Sequence, residues 1–271
     1  MHFGCCGSMI APSTDPIGIE VIEAMAGVGF DYIELSLADI AALSEGSFAG
    51  LERRVNQSGI RCEACNNFFP RTIRLTGPEA NPDRALDYAR HALDRAGRLG
   101  AQIVVFGSSG AKNVPDGFSK DAAWIQIAEL LQHLGPIAAQ HGITIAIEPI
   151  NRLESNIINN AAEGLRLMRA ADHPNVQILI DYYHLEMEHE DHAIILEAGA
   201  AIRHLHFAQI EGRRFPSKPM PAYLSFFEWL KAGKYAGRCS IEAYTENFTA
   251  EARQALETLK SCAETLHEAA G

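Results

Sequence analysis

The sequence predicts an α/β fold in which eight parallel strands close into a (β/α)8 TIM barrel. Short apolar runs alternate with amphipathic helical segments along the whole chain, which is typical of a parallel sheet with right-handed crossovers. About eight strand–helix units of roughly 30 residues can be counted, and such a barrel typically has about 250 residues. The chain has 271 residues and shows no linker or shift in composition. We therefore expect residues 1–271 to form a single domain.

Each predicted strand is a run of β-branched or aromatic residues bounded by breakers. The clearest run is Ile-Thr-Ile-Ala-Ile at 143–147, which ends at Glu148-Pro149. Pro149 cannot donate to a sheet ladder, so it helps to end the strand. The predicted strands are, in chain order, 2–5, 30–35, 60–65, 102–106, 143–147, 175–180, 202–205 and 238–241.

The predicted helices begin at capping residues and most of them end at glycine. Asn81-Pro82-Asp83 is typical of a helix start, because Asn caps the first turn and Pro fits into it. Ser119 opens the longest helix, which ends at His141-Gly142. The predicted helices are 13–26, 47–57, 81–99, 119–141, 160–171, 191–198, 223–231 and 249–270. Segments 66–78 and 107–117 are predicted to be loops.

Composition restricts the classes of function. The formal net charge is −11, which argues against nucleic-acid binding, since that requires clustered Lys and Arg. No apolar run approaches the length of a membrane span, and the amino terminus lacks the features of a signal peptide. We therefore expect a cytoplasmic protein without a membrane partner. The six cysteines are expected to be reduced thiols, including the pair Cys62 and Cys65.

Metal-capable side chains end four successive predicted strands: Glu148, Asp181, His206 and Glu242. The carboxyl ends of barrel strands converge on one opening, where such barrels hold their catalytic residues. Strand-end carboxylates can also simply cap the next helix, but four candidates in succession, one of them His, favour a metal site. Three carboxylates and an imidazole suit a hard divalent ion, and three adjacent anions need a cation. We expect one Mn²⁺, with Mg²⁺, Co²⁺ or Zn²⁺ as alternatives.

Four segments of the sequence resemble one known family. They are IEPINRLESNIINNAAEG (147–164), DYYHLEME (181–188), HLHFAQIEGRRFP (204–216) and SIEAY (240–244). They are similar to the sugar phosphate isomerase/epimerase family of xylose isomerase-like TIM barrels, especially its ketose 3-epimerases such as D-tagatose and D-psicose 3-epimerase. The resemblance implies the same four metal ligands, homodimers or homotetramers, and an acid/base pair formed by Glu148 and Glu242. It also implies that Glu154, His184 and Arg213 hold substrate hydroxyl groups.

The chain departs from the epimerase pattern in two places. The segment after His206 is one residue longer, which leaves Arg213 and Arg214 as alternatives for the residue that faces the site. The loop at 66–78 and the segment at 107–118 do not match epimerases of known sugar specificity, so the sequence assigns no particular sugar.

The chemistry of epimerisation requires the same groups. Removing a proton beside a carbonyl needs a stabilised enediolate, which a divalent ion on the substrate oxygens provides. Inversion needs two opposed bases, and Glu148 and Glu242 come from the fifth and eighth strands, across the mouth. We therefore expect a metal-dependent isomerase or epimerase acting on a small sugar or sugar derivative, with ketose 3-epimerisation preferred.

Other functions compete with this one. The same site could catalyse an aldose–ketose shift, which needs only one base, or act like a hydroxypyruvate isomerase or an inosose dehydratase. An apurinic-site endonuclease of the endonuclease IV type is a remote alternative, since its additional His ligands and basic DNA face are missing in matching positions. A non-catalytic sugar-binding barrel would have little reason to keep all four ligands.

Overall fold

The computed structural model describes residues 1–264, and they form a closed barrel of eight parallel strands. Neighbouring strands follow each other in chain order, and the last strand pairs with the first. This arrangement confirms the predicted fold class. The strands are β1 (His2–Cys6), β2 (Tyr32–Ser36), β3 (Arg61–Asn66), β4 (Ile103–Phe106), β5 (Thr144–Ile147), β6 (Val176–Asp181), β7 (Ile202–Phe207) and β8 (Arg238–Ile241).

Helices connect the strands and pack around the barrel. In chain order they are α1 (Gly7–Ile10), α2 (Ile22–Val28), α3 (Leu37–Ala42), α4 (Glu45–Ser58), α5 (Pro82–Leu99), α6 (Ser109–Lys112), α7 (Lys120–Gln140), α8 (Ala161–Ala171), α9 (Tyr182–Met187), α10 (Ile194–Ala198), α11 (Pro221–Ala232) and α12 (Phe248–Glu264). Two short 3-10 turns lie at Gly199–Ala201 and Glu211–Arg213. None of the helices in residues 1–264 combines the length and apolar composition of a transmembrane segment.

The predicted elements agree with the structure best where capping residues mark them. Asn81 and Ser119 cap α5 and α7 by accepting the N–H groups of Arg84 and Ala122. The helix predicted at 13–26 is wrong over its first half, because Asp15 accepts the N–H groups of Gly18 and Glu20 in a turn. The last predicted helix extends to 270, and its residues after 264 lie outside the described part of the chain.

Four short helices follow strands and were not predicted: α1, α3 and α9 follow directly, and α6 is separated from β4 by two residues and lies within the predicted loop at 107–117. Each has only four to six residues, which is too short for a helical period to show in the sequence. They turn the chain at the carboxyl ends of β1, β2, β4 and β6. They therefore form part of the mouth of the barrel.

The alternation of side chains along the strands connects the core to the mouth. A separate buried cluster contains Ala146 of β5 and Leu179 of β6, together with Tyr32. Successive residues of a strand point to opposite faces, so residues two positions further on share the same side. Glu148 and Asp181 follow these two core residues at that spacing. Both carboxylates therefore point into the barrel, one layer of side chains above its apolar core.

Candidate metal centre

Four side chains meet at the carboxyl ends of the last four strands. Glu148 follows β5, Asp181 ends β6, His206 lies in β7 and Glu242 follows β8. One possible ligand atom from each lies within 4.8 Å of the others. His206 Nδ1 is 3.0 Å from Oε1 of Glu148 and 3.4 Å from Oε2 of Glu242. The structure thus brings together all four residues that the sequence suggested as ligands.

Asp181 provides an atom that indicates a cation. Its Oδ1 accepts the N–H of Tyr183 at 2.8 Å and so caps α9. Its Oδ2 is buried and has no hydrogen-bond partner among residues 1–264. A buried carboxylate oxygen without a partner is costly, and a cation among the four side chains would satisfy it. Three carboxylates and one imidazole are also the donors that hard divalent ions accept, so these residues fit such an ion.

Charge within the cluster shifts the titration of its members. Burial raises the pKa of Glu242, but the charges of His206 and Arg213 outweigh burial and lower it to about 2. Burial lowers the pKa of His206, but Glu34 and Glu242 outweigh burial and raise it well above its usual value. Burial raises the pKa of Asp181 despite the nearby His184 and Arg213. Both nitrogens of His206 thus face carboxylates, with Nε2 at Glu34 and Nδ1 at Glu148.

Three polar side chains, Asn151, Glu154 and His184, border the cluster on the side of β6. Asn151 donates one N–H to Oε1 of Glu154 at 2.9 Å and another to Nδ1 of His184 at 2.8 Å. Since Nδ1 of His184 accepts, its hydrogen lies on Nε2, which is 3.5 Å from Oδ2 of Asp181. Burial lowers the pKa of His184 and favours this neutral form. Glu154 is 40% exposed, so this group extends from the cluster to solvent.

The structure distinguishes the two neighbouring arginines. Arg213 pairs with Glu242, and its guanidinium lies 3.4 Å from Glu154 and 3.6 Å from Asp181. Arg214 instead pairs with the exposed Glu246 at 2.8 Å. The turn depends on left-handed backbone, with φ of 72° at Gly212 and 48° at Arg213. Only glycine adopts the first of these without strain.

Two further residues support the carboxylates and were not predicted. Asn66, at the end of β3, donates to Oε1 of Glu242 at 3.1 Å. Lys112 is fully buried and donates to the backbone carbonyl of Glu148 at 3.2 Å. Burial lowers the pKa of Lys112 to about 8 despite the charge of Glu148. Asn66 follows the same strand-end pattern as the candidate ligands, whereas no pattern in the sequence marks Lys112.

Gly107 makes room for Glu148, one of the four candidate ligands. It follows β4 directly, and a Cβ atom added there would lie 2.0 Å from Oε2 of Glu148. Contacts below about 3 Å between such atoms do not occur, so any larger residue would displace the carboxylate. The position of Glu148 therefore depends on glycine at the end of the neighbouring strand.

Comparisons with known proteins agree with this geometry. A family profile described as xylose isomerase-like TIM barrel matches residues 22–262. The chain is 28% identical over 230 residues to an L-ribulose 3-epimerase of Methylomonas sp. (strain DH-1), covering 83% of this chain and 78% of that protein. It is 25% identical over 232 residues to a D-psicose 3-epimerase of Agrobacterium fabrum (strain C58), with the same coverage.

The fold is also similar to a solved structure. The D-psicose 3-epimerase of Clostridium cellulolyticum H10, crystallised with D-tagatose, aligns with a TM-score of 0.84 at 20% sequence identity. The alignment covers 97% of this chain and 99% of that chain. At this identity the likeness establishes a common fold over nearly the full length of both chains.

Proposed function

Because the chain belongs to the xylose isomerase-like TIM barrel family, we propose that it is a divalent-metal-dependent sugar epimerase that inverts C3 of a ketose. The observation that carries the proposal is the position of two carboxylates. Glu148 and Glu242 approach Nδ1 of His206 from β5 and β8, at 3.0 Å and 3.4 Å. Inversion requires proton transfer on opposite faces of one carbon, and carboxylates from two separate strands can supply it.

In the proposed reaction Glu148 and Glu242 act as the acid/base pair. One carboxylate accepts the proton of C3 on one face of the ketose, and the other returns a proton to the opposite face. Asn66 donates to Oε1 of Glu242, whereas Arg213 and His206 face its Oε2, so Oε2 is the oxygen directed at the cluster. A bound divalent ion, held by Glu148, Asp181, His206 and Glu242, would polarise the carbonyl and stabilise the negative charge of the enediolate.

The sum of the buried charges supports a divalent ion. Four carboxylates lie in or beside the cluster: Glu34, Glu148 and Asp181, which are buried, and Glu242, which is 12% exposed. Two cationic side chains lie beside them: Lys112, which donates to the backbone carbonyl of Glu148, and Arg213, which pairs with Glu242. With neutral histidines, four negative and two positive charges leave a deficit of two, which a divalent cation balances. We propose Mn²⁺, with Mg²⁺, Co²⁺ and Zn²⁺ to be compared.

We assign substrate binding to Glu154, His184 and Arg213. These side chains form a continuous polar surface from Asp181 to solvent. A carboxylate, an imidazole and a guanidinium offer both acceptors and donors, which the hydroxyl groups of a sugar need. The similar proteins of Methylomonas and Agrobacterium are named as 3-epimerases of ketoses, which supports a ketose here.

A substrate screen in D₂O tests the proposal. The chelator-treated protein is reloaded with each of the four ions and incubated with D-psicose, D-tagatose, L-ribulose and their aldose isomers. We expect inversion at C3 accompanied by deuterium at C3, read by NMR. Deuterium at C1 with formation of an aldose would instead indicate isomerisation between C1 and C2. Failure to exchange hydrogen in any ketose, with any ion bound, would refute the epimerase assignment.

A further inference from the structure

A fourth buried carboxylate lies beneath the metal centre. No motif in the sequence marks Glu34, yet its side chain is completely buried within the barrel. Its Oε1 is 3.0 Å from Nε2 of His206, and its Oε2 is 2.8 Å from Nε2 of His204. Ser240 donates its hydroxyl hydrogen to the same Oε2 at 2.5 Å. One carboxylate from β2 thus binds two imidazoles of β7 and one hydroxyl of β8.

The directions of these hydrogen bonds can be worked out from the donors. Ser240 uses its one hydrogen for Glu34, so the hydroxyl of Tyr32, 2.8 Å away, must donate to Ser240. An ionised carboxylate can only accept. Three groups that can each donate a hydrogen face the two oxygens of Glu34, and a carboxylate offers them only acceptors. Both imidazoles therefore donate from Nε2.

The hydrogen on Nε2 decides what the other nitrogen of His206 can do. Nδ1 is the nitrogen that faces Glu148 and Glu242. A metal ligand needs a free lone pair, and the hydrogen bond on the opposite nitrogen sets the tautomer that provides it. We propose that Glu34 is a positioning residue, which keeps the hydrogen of His206 on Nε2 and so directs the lone pair of Nδ1 at the metal. This inference rests on the metal site of the proposed function.

Replacement by glutamine should reverse the tautomer. In Glu34→Gln, one oxygen of the carboxylate becomes an NH₂ group. Two donors, His204 and Ser240, face the position of Oε2, and His206 alone faces the position of Oε1. The amide is satisfied best with its oxygen towards the two donors and its NH₂ towards His206. Nε2 of His206 must then accept a hydrogen bond, so the imidazole hydrogen moves to Nδ1. Nδ1 then has no free lone pair for the metal.

Ser240→Ala provides the matched control. It removes a hydrogen bond to Oε2 from the same buried group but leaves the contact between Oε1 and His206 in place. A purely structural effect of disturbing the network should therefore affect both variants. An effect on the tautomer should appear only in Glu34→Gln.

Two measurements without substrate test the inference. Titration calorimetry of chelator-treated protein with Mn²⁺ should show affinity about 10- to 100-fold weaker in Glu34→Gln, the usual effect of losing such a partner, and nearly unchanged in Ser240→Ala. Nitrogen NMR of the Mg²⁺-loaded wild type should show His206 protonated on Nε2 alone. The second measurement needs no variant, so it stands even if Glu34→Gln fails to fold.

Either of two results would overturn the inference. One is a wild-type spectrum with the hydrogen of His206 on Nδ1. The other is a folded Glu34→Gln variant, verified by near-ultraviolet circular dichroism, that binds Mn²⁺ as tightly as the wild type. If the wild type binds no divalent ion at all, the metal centre and this inference both fail. If it binds the ion but turns over no ketose, the proposed function fails while the role of Glu34 is still decided by these data.

Discussion

The guanidinium carbon of Arg213 lies 4.8 Å from the centre of the Tyr183 ring. The same guanidinium pairs with Glu242 and lies 3.6 Å from Oδ2 of Asp181. A planar cation can place its face on an aromatic ring and its edge towards carboxylates, whereas the ammonium of lysine cannot do both. The geometry thus suits an arginine at position 213, and the left-handed turn at Gly212 and Arg213 brings this side chain to the site.

The two neighbouring arginines give the first prediction. Arg213→Lys should lower kcat/KM about 10- to 100-fold, because hydrogen bonds to charged groups are worth about 1.5–3 kcal/mol. Arg214→Lys should change it less than about twofold, since its pair with Glu246 is exposed and weak. Both variants should be assayed at saturating Mn²⁺ on the ketose identified by the screen. Equal effects would show that Arg213 has no special role.

The second prediction concerns the room that Gly107 leaves for Glu148. Gly107→Ala should weaken Mn²⁺ binding at least about tenfold, since it pushes a ligand out of place by more than the sub-ångström tolerance of such sites. Gly46→Ala, in α4, meets no atom within 4 Å. It should leave binding unchanged and stabilise the fold by about 0.5–1 kcal/mol. Titration calorimetry and thermal unfolding measure both effects.

Unchanged Mn²⁺ affinity in Gly107→Ala would mean that Glu148 is not required to bind the ion. The position of the carboxylate in the variant, determined crystallographically, would then show whether the side chain had moved without consequence.

The third prediction separates one-base from two-base chemistry. Glu148→Gln and Glu242→Gln keep an oxygen donor but lose the proton acceptor, so each should lower epimerisation about 10²–10⁴-fold. In a two-base reaction, one variant should still exchange substrate hydrogen with D₂O, because the remaining carboxylate removes and returns a proton on its own face. In a one-base isomerase, one variant should lose both activities while the other retains turnover. Metal content must be verified in each sample.

Wild-type turnover by both fully metallated Gln variants would exclude both carboxylates as bases. The proposed mechanism would then be wrong, although the metal centre itself could remain.

The buried Lys112 gives a prediction on pH. Its folded-state pKa of about 8 lies below the unfolded value of about 10.4. Between these values the unfolded chain binds more protons, so this residue makes the folded state more stable as the pH rises. Relative to Lys112→Met, the wild type should therefore gain about 1 kcal/mol in unfolding free energy between about pH 7 and pH 9.

Chemical denaturation of metal-free protein at the two pH values measures this difference. Lys120→Met, which replaces an exposed lysine at the start of α7, controls for the loss of one positive charge. Parallel pH dependence in wild type and Lys112→Met would show that the buried amine titrates normally.

The strand ends could be predicted well from the sequence. An alternating apolar run that stops at a polar residue or proline can be recognised from neighbouring residues alone. Glu148 and Asp181 could be placed at the mouth on that basis. Glu34 lies inside its strand and not at its end. Its contact with His206 joins residues 172 positions apart and depends on how the barrel closes. Lys112 lies in a four-residue helix without any periodic pattern. The roles of such residues can be recognised only from their contacts in the folded structure.

Closure of the barrel between β1 and β8 has a consequence for the order of events during protein synthesis. Glu242 follows the last strand, so a nascent chain that has emerged only through β7 carries three of the four candidate ligands. Ribosomes add about 5–20 residues per second, so the interval between Glu148 and Glu242 takes roughly 5 to 20 s. During this time the chain lacks the fourth candidate ligand, so only apolar packing and backbone pairing can act on the strands already made. An ion that needs all four side chains would stabilise the finished molecule, and it would come too late to guide the first strands into place.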